Sequence, residues 1–492
     1  MGTITIVGLG PGDVDLMTRA AWARLEGAHE VWLRTRVHPT VAQLPAHLIL
    51  HSCDDLYERA DDFAQVYEEI VQRVLALGAR PEGVVYAVPG HPLVGEATVT
   101  LILARAAGCG CAVEIVDGMS FVEPVLSALG LDALAGLQIY DALELAARHH
   151  PPFNPDLPAL VGQLYSRALA ADVKLVLMAQ YPDEHEVVLI HAVGSPAQRV
   201  ERLPLFELDR RDEVAHLTAL FIPPLPPVSG FEDFQETVAH LRAPEGCPWD
   251  REQTHESLRT PLLEEAYEVA AAIDAADLDA LREELGDLLL QVVLHAQIAA
   301  EEGEFQMADV IRGIDAKLKH RHPHVWGNRP VSGTHEVLQR WEELKREEKG
   351  GERSVLDGVP GALPALQQAD TYGRRVARVG FDWSGAAGVV EKLREEVAEL
   401  QAACSPEQQE AELGDLLFTV VNWARWLGLD PESALRKANA RFARRFRAME
   451  ALARERSLTL EGQPIEVLEA LWQEAKRLLD EPSIEPRATG DP

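Results

Sequence analysis

Acidic residues fall into two matching sets in the second half of the chain. The first is Glu264-Glu265-Ala266-Tyr267-Glu268, followed by Glu284-Leu285-Gly286-Asp287. The second is Glu395-Glu396-Val397-Ala398-Glu399, followed by Glu412-Leu413-Gly414-Asp415. Residues three or four apart share a helix face. Glu265 and Glu268 therefore point one way, and Glu284 with Asp287 does so on the next helix. A short connection, Asp274 to Asp279, predicts that the two helices are antiparallel neighbours with converging carboxylates. Glu396, Glu399, Glu412 and Asp415 repeat the arrangement across a loop at Ser405–Gln409. Carboxylates facing one another repel unless a cation lies among them. All-oxygen ligation suits a hard ion, Mg²⁺ or Mn²⁺, which commonly also carries substrate phosphates. Lys437, Arg441 and Lys476 supply the positive complement for a polyphosphate chain. Trp341 and Trp472 either stack on a base or pack the core.

A single Glu-x-x-Glu is ordinarily a solvated helix face with i,i+4 partners. Its recurrence before Glu-x-Gly-Asp is what raises the metal reading. The agreement continues downstream: Lys317 and Arg321 stand four apart, as do Lys437 and Arg441, and Trp341-Glu342-Glu343-Leu344-Lys345 matches Trp472-Gln473-Glu474-Ala475-Lys476. Gly286 and Gly414 each cost about 0.5–1 kcal/mol inside a helix, and close helix packing is the expected reason for them.

The elements that position these groups follow from the chain as a whole. Its 492 residues suggest about three domains. With 79 Asp+Glu against 46 Lys+Arg, the net charge is −33. That disfavours nucleic acid and anionic membranes as partners, since both need a basic footprint. No apolar run reaches the ~18–20 residues of a membrane span, and the first residues, Met1 to Val7, read as a strand rather than a signal peptide. The cysteines Cys53, Cys109, Cys111, Cys247 and Cys404 are odd in number and scattered, which fits a reducing cytoplasm without a disulfide framework.

Residues 1–222 alternate short β-branched runs with helical stretches, the pattern of βαβ units. Expected strands are Thr3–Gly8, Val31–Thr35, Gly83–Val88, Val113–Asp117, Lys174–Met178 and Val187–Ala192. Four prolines within Pro223–Pro227 make residues 223–230 a semi-rigid linker. Beyond it, 231–348 and 366–480 are helical modules separated by a Gly/Pro-rich break at 349–365, and 481–492 form a polar tail.

In the first half, strand Thr3–Gly8 runs into Gly8-Leu9-Gly10-Pro11-Gly12-Asp13. The spacing does not fit a dinucleotide fingerprint, and the second strand ends in Arg34-Thr35-Arg36 rather than an acid. A second glycine turn, Val88-Pro89-Gly90-His91-Pro92, follows another strand, and a third cluster is Asp117-Gly118-Met119-Ser120. Glycines after strands let a ligand approach the backbone closely. Each turn alone is an ordinary strand-to-helix connection.

Residues 231–480 resemble a tandem MazG nucleotide pyrophosphohydrolase. Besides the acidic sets, the likeness includes Gly246-Cys247-Pro248-Trp249-Asp250, His322-Pro323-His324-Val325-Trp326, Val379-Gly380-Phe381-Asp382-Trp383 and Lys437-Ala438-Asn439. The resemblance implies an all-α, dimer-forming bundle that hydrolyses nucleoside triphosphates to monophosphate and pyrophosphate. It implies metal ligands Glu396, Glu399, Glu412 and Asp415, with Glu265, Glu268, Glu284 and Asp287 in the first copy. Lys437, Arg441, Trp472 and Lys476 fall on positions the family uses for substrate. Glu396 or Glu399 would take a proton from the attacking water. The first copy is either catalytic or structural.

The order and gaps of the glycine turns resemble the tetrapyrrole methylase family over residues 1–222. That implies an α/β domain of two subdomains with S-adenosylmethionine in the cleft between them. Gly8, Gly10, Pro11, Gly12, Val88, Pro89, Gly90, Met119 and Ser120 would fall near the cleft, and Asp13 would act as base or orienting group. Porphyrin-modifying members have Gly-Asp-Pro where this chain has Gly90-His91-Pro92, so the methyl acceptor is open. The whole chain thus reads as a fusion: a nucleoside triphosphate pyrophosphohydrolase behind a methyltransferase-like domain. Two other readings remain. In one, the N-terminal domain senses S-adenosylmethionine without turnover. In the other, the acidic sets bind metal only to stabilise a helical scaffold.

Overall fold

Strand β1 (Gly2–Gly8) alternates its side chains between two cores. Ile4 and Ile6 enter one core with Ile70, Val74, Tyr86 and Val99. Val7, with Leu9 just beyond the strand, enters the other core with Ala21, Leu25, Val31 and Leu33. A strand buried on both faces belongs to the middle of a parallel sheet covered by helices. The observed order, β3-β2-β4-β1-β5, puts β1 there. Its partners are β2 (Glu30–Leu33), β3 (Ile49–Ser52), β4 (Val84–Val88) and β5 (Cys111–Val116), all parallel. The register sets Gly8 opposite Val88, which brings the ends of β1 and β4 level.

A second sheet, order β6-β7-β10-β8-β9, is mostly antiparallel. It comprises β6 (Gln138–Asp141), β7 (Ala159–Gly162), β8 (Glu186–His191), β9 (Arg199–Pro204) and β10 (Ala219–Ile222). The expected strand at Lys174–Met178 is not one. Those residues belong to the helix Arg167–Leu177 and its C-cap, Met178. Ser166 caps that helix by accepting the Leu169 N–H, and its buried positions, Leu169, Ala170, Val173, Val176 and Leu177, recur at helical period.

This computed structural model describes residues 2–480 except 58, 60–62, 227, 335, 338, 339, 342, 343 and 345–353. The expected tail 481–492, Lys345 and the start of the 349–365 break lie outside the described residues. The chain divides into two compact units, Met1–Arg251 and Glu252–Pro492. The proline-rich segment is held by the first unit. The Leu225 N–H donates to the Pro155 carbonyl at 2.8 Å, and the Ser229 and Gly230 N–H groups donate to the two Asp156 carboxylate oxygens at 2.7 Å each.

The second unit is helical. Helix Arg259–Ala275 pairs with Leu278–Glu301 through a two-residue turn. Ala276 takes a positive φ of 54°, and Asp277 caps the next helix by accepting the Asp279 and Ala280 N–H groups. In the second copy, Ala386–Ala402 pairs with Pro406–Trp426. The expected loop at Ser405–Gln409 is shorter in fact. Ser405 accepts the Gln408 N–H and Pro406 occupies the first turn, so the helix starts at once. Helices Pro431–Glu455 and Ile465–Asp480 form a further pair. No helix of the described residues is long and apolar enough to cross a membrane.

Candidate metal centre and cofactor cleft

In each copy three of the four expected carboxylates meet. Glu265, Glu268 and Glu284 bring oxygens within 4.8 Å of one another, and so do Glu396, Glu399 and Glu412. Asp287 and Asp415 stand one step outside these sets and act as neighbouring charges. Partial burial, then the charges of Asp287, Glu268 and Glu284, raises the Glu265 carboxyl above its usual range. Glu284 is raised by burial and then by Glu268 and Asp287. Glu412 is raised by burial and then by Glu399, Glu396 and Asp415. Neighbouring carboxylates that converge in this way repel one another when ionised, and an all-oxygen donor set of this size fits a hard divalent ion.

The two sets differ in one respect. Glu396 is only 4% exposed, and the ammonium of Lys392 lies 2.8 Å from Glu395, 2.8 Å from Glu396 and 3.8 Å from Glu399. The sequence reading missed Lys392. The signal was there, since a lysine four residues before the buried glutamate shares its helix face.

Gly286 and Gly414 do not serve close helix packing, contrary to expectation. A Cβ at either would meet nothing within 4 Å. Both lie on exposed stretches next to the carboxylates, and the glycine leaves that space open.

The expected phosphate-binding side chains sit on the other helix pair of the second copy. Lys437 and Arg441 are exposed on Pro431–Glu455. Lys437 reaches across to the first copy, its Nζ 3.1 Å from Asp274 Oδ1, and Arg436 binds the same carboxylate at 2.9 Å. Lys476 is exposed on Ile465–Asp480. Trp472 is half-buried against the cluster of Met449, Leu452, Ala453, Leu471 and Ala475, with its ring 5.2 Å from that of Phe442. The core role for Trp472 is thereby visible. Trp341 lies beneath the Arg321 guanidinium, 5.6 Å from its ring centre.

In the first unit the three glycine turns meet at the carboxyl ends of β1, β4 and β5. The Gly10 and Gly90 backbones form an isolated bridge, with Gly90 N–H donating to Gly10 C=O at 2.8 Å. A Cβ on Gly8 would lie 2.6 Å from the Gly90 oxygen and 2.7 Å from Gly118, so only glycine allows this approach. From β1 the chain moves to one side of the sheet, and from β4 it crosses to the other. The two turns therefore flank the switch point where open α/β sheets bind ligands. Gly90 has a φ of 65° and its missing Cβ faces open space.

Beside the turns lies a cavity of ≈ 610 Å³ lined by Asp13, Asp15, Met119, Glu123, Gly194 and Gln198, among others. Its carboxylates suit a ligand carrying positive charge, as a sulfonium does. Asp13 caps the short turn Val14–Leu16 by accepting the Asp15 N–H at 3.0 Å. Ser120 and Glu123 close a local cap, with the Ser120 N–H donating to Glu123 at 2.9 Å. His91 Nδ1 accepts the Leu93 N–H at 3.0 Å, so in the neutral ring the proton sits on Nε2, which faces Asp117 at 3.5 Å. The turn Gly194–Gln198 was missed in the sequence. It packs Gly194 on Pro11, and it carried the same signature as the others, a glycine after a β-branched run.

Doubly wound sheet, glycine turns and duplicated acidic helix pairs together define a methylase-like domain joined to MazG-type modules, and the chain belongs to the family in which these two are fused. The family model for tetrapyrrole (corrin/porphyrin) methylases matches residues 3–209. That for the MazG nucleotide pyrophosphohydrolase domain matches 253–326. The uncharacterized protein YabN of Bacillus subtilis is 42% identical over 490 residues, spanning 96% of this chain and 98% of YabN. The nucleoside triphosphate pyrophosphohydrolase/pyrophosphatase MazG of Thermotoga maritima is 49% identical over 247 residues, spanning 50% of this chain and 95% of that protein. Among solved structures, uroporphyrin-III-C-methyltransferase from Thermus thermophilus is similar at 22% identity, over 45% of this chain and 92% of that one, with a TM-score of 0.35.

Proposed function

We propose that this chain is a metal-dependent nucleoside triphosphate pyrophosphohydrolase, turning a nucleoside triphosphate and water into the monophosphate and pyrophosphate. Its N-terminal domain would bind S-adenosylmethionine and methylate a small molecule. The observation that carries the first part is the duplicated carboxylate triad, each within 4.8 Å, on antiparallel helix pairs. The activity named for the Thermotoga relative supports the substrate class.

Glu396, Glu399 and Glu412, flanked by Asp415, would hold Mg²⁺ or Mn²⁺, as would Glu265, Glu268 and Glu284 beside Asp287. The ion would supply charge neutralisation on the phosphates and acidification of the attacking water. Glu399 is the exposed member of its set, whereas Glu396 is buried against Lys392, so Glu399 is assigned to receive the water's proton. Lys437, Arg441 and Lys476 would spread positive charge along the triphosphate. In the first domain, Gly8, Gly10, Gly12 and Gly90 would let the cofactor lie against the backbone, with Asp13 and Met119 lining the adjacent cavity.

The domain limits assigned are 1–222, 231–348 and 366–480. A homodimer is the assigned assembly, because Leu413, Leu417 and Phe418 of the acidic helix are exposed at 47%, 49% and 44%. The unpaired cysteines suit a reducing cytoplasm.

Pyrophosphate release is measured on a panel of nucleoside triphosphates with Mg²⁺, for the wild type, Glu265→Ala, Glu396→Ala and the double variant. Loss with Glu396→Ala alone assigns catalysis to the second copy, and equal partial losses assign it to both. No release from any nucleotide by the wild type refutes the hydrolase reading.

A further inference from the structure

The two carboxylate sets are built alike but neutralised differently. Counting back four residues from Glu396 gives Lys392, and from its counterpart Glu265 gives Pro261. Lys392 Nζ bonds Glu395 and Glu396 at 2.8 Å and stands 3.8 Å from Glu399. It thus touches two of the three converging carboxylates, where a cation would have to be. Pro261 offers no charge, and among the described residues no Lys or Arg pairs with Glu265, Glu268 or Glu284. Their oxygens face one another within 4.8 Å instead. The nearest such contact on that helix is at its far end, where Asp274 binds Arg436 and Lys437.

We propose that Lys392 is a built-in competitor for the metal, so that divalent ions fill the first carboxylate set ahead of the second. The inference rests on the metal reading above. An ion entering the second set must first displace an ammonium that already neutralises Glu396, whereas the first set gains its counter-charge outright. Displacement is a coupling between two cations competing for one set of oxygens, of the order of 5- to 150-fold in affinity. Lys392 here is a positioning residue: it sets when the site loads and carries out no bond change.

The test uses full-length protein, stripped of metal, and Mn²⁺ alone without nucleotide, with free Mn²⁺ followed by electron paramagnetic resonance. In a Glu265→Gln background, which silences the first set, Lys392→Met should tighten the remaining site about tenfold. In a Glu396→Gln background, Pro261→Lys should weaken the first site by a similar factor. The two changes lie in different copies, so misfolding of one leaves the other informative. Unchanged affinity in both, with Mn²⁺ still lost on Glu265→Gln and Glu396→Gln, overturns the inference and leaves the metal reading intact. A wild type that takes up no Mn²⁺, or takes it up regardless of those glutamates, overturns the metal reading itself.

Discussion

Replacing Glu96 by Gln should strip the first unit of a charge it cannot do without. Arg34 enters the protein at the end of β2 with its side chain 16% exposed, and Glu96, 2% exposed, meets it at 3.0 Å. Burial is the largest influence and works to discharge Arg34, but Glu96 together with Tyr57, Tyr86 and Tyr67 outweighs it and the guanidinium stays firmly protonated. Glu96 also accepts from Thr98 Oγ1 at 2.6 Å, and Thr98 shares a bond with the Tyr86 hydroxyl at 3.0 Å. Breaking a buried pair on one side costs about 3–5 kcal/mol, because the remaining charge is left uncompensated. The rings of Tyr67 and Tyr57, 5.1 and 6.0 Å from the guanidinium carbon, give back about 1 kcal/mol. A net loss of about 2–4 kcal/mol follows. Hydrogen exchange of amides in Glu30–Leu33 and Val84–Val88 should accelerate roughly 30- to 1000-fold, since each 1.4 kcal/mol is tenfold. Amides of Leu278–Glu301 serve as an unaffected control within the same molecule. Converting the pair together, Arg34→Met with Glu96→Leu, should restore most of the protection. A single variant that exchanges within threefold of the wild type, or a double variant as labile as the single, would refute the reasoning.

Three further outcomes are expected. Glu265, Glu284 and Glu412 are raised above 4.5, first by burial and then by neighbouring carboxylates. A carboxyl raised in the fold holds its proton more tightly than in the unfolded chain, so its stabilising share is full below 4.5 and is lost as pH climbs through the raised value. Metal-free protein should therefore lose thermal stability in the helical unit above pH 4.5, and Mg²⁺ should restore more of it the higher the pH. A thermal transition at pH 7 that ignores Mg²⁺ would contradict this. Gly8→Ala would drive a Cβ to 2.6 Å from the Gly90 oxygen, and overpacking of about 1–3 kcal/mol should weaken S-adenosylhomocysteine binding, measured by calorimetry, at least fivefold. Asp274→Asn should release Lys437 from its 3.1 Å partner and lower KM for nucleotide about two- to fivefold without moving kcat. A raised KM would mean that Asp274 positions Lys437 rather than restraining it.

Elements with strong periodicity are legible in the sequence alone. β4 and the middle of β8 are continuous apolar runs, β1 is rich in β-branched Thr, Ile and Val, and both acidic helix pairs are announced by Glu-x-x-Glu and Glu-x-Gly-Asp. The stretch Lys174–Met178 misleads because Val and Leu in a row favour a strand locally. The cap at Ser166, eight residues earlier, and the burial of Val173, Val176 and Leu177 on one face decide for helix. Strands β6, β7 and β10 are four residues each and gain their identity only from partners far along the chain. The site residues are legible where chemistry repeats, as in the glutamates, and obscure where it depends on reach. Nothing in the sequence says that Lys437 finds Asp274, so far back along the chain.

The place of β1 bears on how the first unit comes into being. Strand β1 precedes both of its sheet neighbours in the chain and lies between them. It needs β4, which ends at Val88, and β5, which ends at Val116. At about 5–20 residues per second, synthesis leaves Gly2–Gly8 waiting roughly 5–20 s for both neighbours. During that interval its Ile and Val side chains have no core, and its two backbone edges are open to any passing strand. The glycine cleft cannot exist earlier either, because Gly8, Gly90 and Gly118 touch only once the sheet has closed. Cofactor capture would thus report that the first sheet has closed, and slowing the ribosome between residues 9 and 116 should increase aggregation of nascent chains, while slowing it after residue 230 should not.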